Sequence, residues 1–236
     1  MMKCIVVANT AGGVGKTTSA HSIAVASAEY GKKVLLIDAD PAGTLTFCCG
    51  IENPRVTTLE FLSGSFSLDA STVKSSERFT LMPASSRLAS INLDSTIEPQ
   101  KLVSALSEFD LVIIDTATGP NQILTYCLEI ADLIITPTTS EIISVRGVVH
   151  IKSFAESSGK SRLIKVLVSG TYEQEPETLT LLRNDFAIME PSIHREEVVG
   201  LSQVTGRSVL TEYKNSVSAA NYREVAYSVL EELSLI

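Results

Sequence analysis

Apolar residues along this chain come in two textures. Short, continuous aliphatic runs at residues 4–8, 33–37, 109–114 and 131–137 lack polar alternation, as expected of strands covered on both faces, and residues 162–169 read as another strand. Between them lie stretches with apolar positions at helical spacing. The first, residues 15–30, places Ala20, Ile23, Ala24 and Ala28 at such intervals and stops at Gly31. Others follow at 98–108, where Leu102, Val103 and Leu106 share a face, at 144–157, at 177–184 and at 218–233. Residues 79–85 read as a further strand running into a loop. Residues 48–76 are rich in Ser, Thr and Gly with little periodicity, apart from one helical turn suggested by Leu59, Phe61 and Leu62. Strands alternating with helices predict an α/β fold: a doubly wound, mostly parallel sheet with helices on both faces and right-handed crossovers.

Composition narrows the class. A length of 236 residues suits one α/β domain, so residues 1–236 are expected to form a single unit with its own core. Hydrophobic residues make up 44% and charged residues 19%, which argues for a globular chain rather than a disordered one. A net charge of -8 excludes a general polyanion binder, so any nucleic-acid contact requires a local basic patch. Cys4, Cys48, Cys49 and Cys127 lack metal-ligand spacing and read as core thiols. His21, inside the first helix, reads as a packed or surface residue rather than a ligand. Met1, Met2 and Lys3 lead directly into a strand and no apolar run reaches 18 residues, so the expected location is cytoplasmic, with no membrane partner.

The candidate chemistry begins where the first strand meets the first helix. The string Asn9-Thr10-Ala11-Gly12-Gly13-Val14-Gly15-Lys16-Thr17-Thr18 reads as a phosphate cradle. A glycine-rich turn opening a helix aims several backbone N–H groups, and the positive end of the helix dipole, at one point. Lys16 reaches the β and γ phosphates in such a loop, and the Thr17 hydroxyl ligates Mg²⁺. Thr10 stands where the general pattern has its first glycine. The five specified residues of G-G-x-G-K-T coincide by chance about once per million positions.

Acids at strand ends support this assignment. The run at 33–37 delivers Asp38 and Asp40 to a carboxyl end, where ligands of open α/β sheets bind. The run at 109–114 delivers Asp115, an acid placed to hold the Mg²⁺ shell near Thr17. The crossover rules put the first helix and both acidic loops at one edge of the sheet.

With these residues together, the chain resembles the ParA/MinD family of P-loop ATPases, whose deviant Walker A motif reads K-G-G-x-G-K-[ST]. The segment Asp38-Ala39-Asp40-Pro41-Ala42-Gly43-Thr44-Leu45-Thr46 is similar to that family's D-x-D-P-Q-G-[NS]-x-[ST], with Ala42 in place of glutamine. The strands ending at Asp115 and Pro137 resemble its later motifs, as do Glu141 to Gly147 and the segments around Arg195 and Arg207. The likeness spans nearly the whole chain and is strongest at 4–46 and 109–147. It implies ATP and Mg²⁺ as cofactors, bound by Gly12, Gly13, Val14, Gly15, Lys16, Thr17 and Thr18, with the metal at Thr17 and Asp115. It also implies Lys16 and Asp38 as catalytic residues, with Asp38 orienting the attacking water. The family's signature lysine falls on Ala11, so slow hydrolysis is expected unless Lys152 or Arg146, on the helix after Pro137, substitutes. Asp115-Thr116-Ala117-Thr118-Gly119-Pro120 departs from the usual D-x-P-P, and Ser169-Gly170-Thr171 stands where relatives often place an adenine-contacting Asn.

The nearest subgroup resembles ParA-type positioning ATPases, which separate plasmids, chromosomes or other cargo. It implies a homodimer formed with ATP, nonspecific DNA binding, a nucleoid-associated location and an adaptor protein of the ParB kind or linked to cargo. Arg195, Arg207, Lys214 and Arg223 are the candidate DNA contacts, although six glutamates sit among them in sequence. Three alternatives compete. A hydrolysis-impaired, ATP-dependent dimeric binding module follows from Ala11. A MinD-like membrane cycler is hinted at by Ser144-Val145-Arg146 but lacks a basic amphipathic tail at residues 231–236. A nitrogenase-like reductase would need cluster-bridging cysteines, which Cys127 does not resemble.

Overall fold

In the computed structural model, which describes residues 1–92, 96–171 and 177–236, strand β1 (Lys3–Val7) sends alternate side chains into two separate cores. Ile5 and Val7 join the core beneath α1 (Lys16–Glu29) and α10 (Val217–Glu232). Cys4 and Val6 join the core on the opposite face. This two-sided burial is the physical reason the run at 4–8 is continuously apolar.

The other elements, in chain order, are β2 (Val34–Ala39), α2 (Thr44–Cys48), α3 (Thr58–Leu62), β3 (Val73–Lys74), β4 (Thr80–Met82), α4 (Pro99–Ala105), β5 (Leu111–Thr116), α5 (Gln122–Glu129), β6 (Leu133–Thr138), α6 (Ile142–Ser157), β7 (Ile164–Thr171), α7 (Glu177–Arg183), β8 (Ala187–Ile188), β9 (Ile193–His194), α8 (Glu197–Val204) and α9 (Val209–Glu212). The strands follow the order β3-β4-β2-β5-β1-β6-β7-β8, with β9 also paired to β7. Among the described residues every pairing is parallel except β3 with β4. The doubly wound, mostly parallel sheet expected from the strand–helix alternation is therefore present.

Small residues let α1 pack closely between sheet and α10: Ala20, Ala24 and Ala28 are buried along its length. The helix expected at 98–108 is shorter, ending at Ala105 with Leu106 as a buried cap. In the stretch with little periodicity, Thr57 and Glu60 form a capping box that starts α3. Phe61 and Leu62 bury against the second core. Cys4, Cys48 and Cys127 are buried thiols and Cys49 is half-buried, as the sequence suggested.

His21 is a packed residue. Its Nε2 lies 2.7 Å from Glu77, both side chains are almost fully buried, and the ring meets Phe79 edge-on. Glu77 also accepts from the Ser208 amide at 3.0 Å. The pair ties α1 to the turn before β4 and to the start of α9.

Candidate functional site

β1, β2 and β5 are neighbours in the sheet, so their carboxyl ends bring the glycine loop, Asp38 and Asp115 to one place. The loop between β1 and α1 is held from behind by Asn9. Its amide nitrogen donates to the carbonyls of Pro137 (2.8 Å) and Ser144 (3.2 Å), and its Oδ1 accepts from the Ala11 amide (2.8 Å). These bonds fasten the loop to β6 and α6. The close approach depends on Gly147, because a Cβ there would lie 1.9 Å from Asn9 Oδ1. Gly13 and Gly15 take φ values of 71° and 90°, a left-handed region that glycine enters freely, and Gly15 is the N-cap of α1.

Lys16 is buried, and its ammonium donates to the Ala11 carbonyl at 2.9 Å. Burial pushes that ammonium below its usual range, while the charges of Asp115 and Asp40 oppose the shift. Lys16, the first residue of α1, thus curls back over the loop that precedes it. Ala11 itself is buried, at 8% exposure, between Asn9 and Lys16.

The Thr17 hydroxyl donates to Asp115 Oδ2 at 2.7 Å. Asp115 is fully buried, and among the described residues its other oxygen, Oδ1, has no hydrogen-bond partner. Burial first, then the charge of Asp38, raise its carboxyl well above the usual range, against the Thr17 bond and Lys16. An unpartnered buried carboxylate oxygen beside a threonine hydroxyl fits a Mg²⁺ site: a hard cation with oxygen ligands would replace the missing donor and offset the buried charge. Thr17 and Asp115 are the residues that would hold it.

Asp38 is the register partner of Asp115 on the neighbouring strand and is also fully buried. Its Oδ2 accepts from the Thr46 amide (2.8 Å) and hydroxyl (2.6 Å), and its Oδ1 from the Asp40 amide (3.0 Å). Burial nevertheless raises its pKa to about 6, against the bonds from Thr46 and Asp40. In this conformation both oxygens of Asp38 anchor the loop that carries α2. The same Thr46 hydroxyl accepts from the Ala84 amide at 2.9 Å, which joins the loop to the end of β4. Sequence reasoning singled out Asp38 but missed Asn9, Thr46 and Gly147; for Thr46, its place in the string after Asp38 was a usable signal.

An open cleft of about 360 Å³ extends from the loop, lined among others by Gly13, Gly15, Thr18, Ser169, Arg195 and Tyr222. Lys152 and Arg146, the two candidate substitutes for the signature lysine, both lie on α6. The Lys152 ammonium sits 5.4 Å from the centre of the Phe186 ring, and Arg146 is exposed.

The four candidate DNA contacts do not form one patch. Arg223 pairs with Glu29 at 2.7 Å, at the far end of α1, and donates to the backbone carbonyls of Lys214 and Leu210. Arg195 lines the cleft at the near end of α1, and Arg207 lies beside Thr17 and Thr18. Fourteen helical residues separate the two ends, a span of about 20 Å. The last third of the chain, through α9 and α10, wraps along the length of α1 instead of gathering at one end.

Comparison with known proteins gives the same assignment. A family model described as an AAA domain matches residues 2–165. The chromosome-partitioning ATPase Soj of Thermus thermophilus is 31% identical over 172 residues, covering 70% of this chain and 68% of Soj. The crystal structure of cobyrinic acid a,c-diamide synthase from Mycobacterium smegmatis with bound ADP and magnesium aligns over 99% of this chain and 96% of that one. It does so with a TM-score of 0.79 and 27% identity. The septum site-determining protein MinD from Pyrococcus horikoshii, complexed with Mg-ADP, shares the fold at a TM-score of 0.82, with 19% identity and 97% and 96% coverage. The cofactors of the site are ATP and Mg²⁺. The match across residues 2–165 and the likeness to Soj, on a sheet whose glycine loop and strand-end acids meet at one edge, lead to one conclusion: the chain belongs to the ParA/MinD family of P-loop ATPases.

Proposed function

We propose that residues 1–236 act as one positioning ATPase domain that dimerises on binding ATP and Mg²⁺, binds DNA nonspecifically in that state, and responds to an adaptor protein linked to its cargo. The observation that carries the reading is the Thr17–Asp115 bond, with Asp115 Oδ1 buried and unpartnered among the described residues, near a buried Lys16. When bound, Mg²⁺ neutralises charge on the phosphates. The chain's own part is to hold them: Gly12 to Gly15 would present backbone N–H groups, Lys16 would supply a fixed charge, and Thr17 and Asp115 would hold the metal. Asp38, released from Thr46 or working through it, orients water. The proposed location is cytoplasmic and nucleoid-associated; no helix among the described residues is long and apolar enough to cross a membrane.

A second reading, a binding module that dimerises on ATP but hydrolyses it very slowly, is favoured by the environment of Ala11. A buried methyl group stands at the signature position, and the Lys152 ammonium is engaged with Phe186. Light scattering and phosphate release with ATP, ADP and no nucleotide distinguish the cases. A dimer with ATP and steady turnover supports the positioning cycle, and a dimer without turnover supports the module. A single mass in all three states overturns both.

A further inference from the structure

Gln203, near the end of α8, donates its side-chain N–H to the Thr18 hydroxyl oxygen at 2.8 Å, across 185 positions of sequence. Thr18 stands between two spaces. On one side it lines the cleft with Gly13, Val14 and Gly15; on the other it borders the region of Ser202, Gln203 and Arg207. A threonine hydroxyl has one proton to donate and can accept two hydrogen bonds. An amide nitrogen can only donate, so the bond from Gln203 uses a lone pair of Thr18 and leaves its proton unspent. Among the described residues no protein acceptor takes that proton.

We propose that Gln203 is a positioning residue for nucleotide binding: by donating to Thr18 it fixes the threonine rotamer and directs the threonine O–H as a donor toward a phosphate in the cleft. The proposal rests on the nucleotide reading given above. Gln203 is firmly placed for this task. Ser202 beside it is buried and donates to the Val199 carbonyl at 2.9 Å, and Val199 itself lines the cleft. Glu196, the N-cap of α8, accepts from the Ser218 amide at 2.6 Å, and the start of α9 is held by Glu77. One helix therefore reaches the cleft with Val199 and the phosphate loop with Gln203. Locking a binding group from behind in this way is how a site keeps its geometry.

The test is calorimetric titration of the full chain with Mg²⁺-ADP, alongside the thermal midpoint without nucleotide. A hydrogen bond to a charged group contributes about 1.5–3 kcal/mol, so Thr18→Val is expected to weaken ADP about 10- to 100-fold. Gln203→Leu is expected to cost about 3- to 10-fold, the effect of one lost neutral bond. In the Thr18→Val background the same change is expected to add nothing, because the two residues act as one unit. Gln203→Glu is the sharper variant: a carboxylate accepts the threonine proton and turns it away from the phosphate, so the loss should equal or exceed that of Thr18→Val. Full ADP affinity in Gln203→Glu, or an undiminished effect of Gln203→Leu in the Thr18→Val background, overturns the proposal. If Gln203→Leu lowers the thermal midpoint so far that binding is unmeasurable, Gln203→Glu and Gln203→Met decide by the same criterion. Unchanged ADP affinity in Lys16→Ala would instead reject the nucleotide reading itself.

Discussion

Asp38 and Asp115 are partners in register on adjacent parallel strands, both fully buried, and among the described residues three hydrogen-bond donors serve one and a single hydroxyl serves the other. Two carboxylates so placed cannot both carry charge without cost in the absence of a cation. The fold accepts this strain because the sheet that aligns the strand ends is the same feature that builds the phosphate site.

A pH dependence follows. Asp38 has a folded pKa of about 6 against an ordinary 3.8, so between those values the folded chain binds more protons than the unfolded one. The contribution is fully present below the ordinary value and is lost as pH rises through about 6. Without nucleotide and Mg²⁺, the thermal midpoint of the wild type minus that of Asp38→Asn should therefore fall as pH is raised from 4 to 7. Calorimetric scans at matched ionic strength measure it; a difference that rises with pH contradicts the assignment.

Lys16 and Asp38 should separate binding from turnover. Lys16→Ala removes the buried ammonium and is expected to weaken ATP about 10- to 100-fold, the magnitude of bonds to a charged group. Asp38→Ala should keep ATP affinity within a few-fold and abolish phosphate release. Equal losses of ATP affinity in the two variants would remove the water-orienting role from Asp38.

At Ala11 a cation delivered to the transferring phosphoryl group is worth roughly 10³ to 10⁵ in rate. Ala11→Lys is expected to raise turnover at saturating ATP by orders of magnitude. Lys152→Ala should change it little, since that ammonium rests against Phe186; Arg146→Ala is the companion control. Loss of activity in Lys152→Ala, with no gain from Ala11→Lys, would show that Lys152 has taken over. If no variant turns over, the missing lysine is not the limiting defect.

Gly147→Ala tests the clamp behind the loop. The new methyl would lie 1.9 Å from Asn9 Oδ1 and 2.9 Å from its Cγ, and three hydrogen bonds keep that side chain from moving away. Overpacking of this kind costs about 1–3 kcal/mol. Both the thermal midpoint and ATP affinity should fall. A variant as stable as the parent with unchanged affinity would mean that the loop does not depend on α6.

For DNA, the separation of the basic residues predicts unlike effects. With ATP, affinity for any duplex should fall steeply with salt as counterions are released. Arg207→Glu, at the nucleotide end, should weaken all sequences alike and reduce the salt slope by about 1 for each phosphate it no longer neutralises. Arg223→Glu breaks the pair with Glu29 and sets two like charges together, so its main effect should be a lower thermal midpoint. Gel-shift titrations at several salt concentrations, read beside melting curves, distinguish the two; an Arg207→Glu protein that binds like the parent rejects a DNA role for that arginine.

The sequence determined the features governed by local spacing. Continuous aliphatic runs specify strands buried on both faces, and G-G-x-G-K-T between a strand and a helix specifies a phosphate loop. Acids immediately after such runs must emerge at the carboxyl edge, so Asp38 and Asp115 were legible as candidate site residues before their neighbours were known. Tertiary structure decided what depends on long-range placement. The order β2-β5-β1 made Asp38 and Asp115 neighbours. Asn9 received its partners from positions 137 and 144, and Thr18 its partner from 203. The wrapping of the last third along α1 scattered the arginines that lie close together in sequence. Hydrogen bonds between residues more than a hundred positions apart leave no periodicity in either partner, because each residue type would be equally acceptable as a solvated polar group until the fold removes the water.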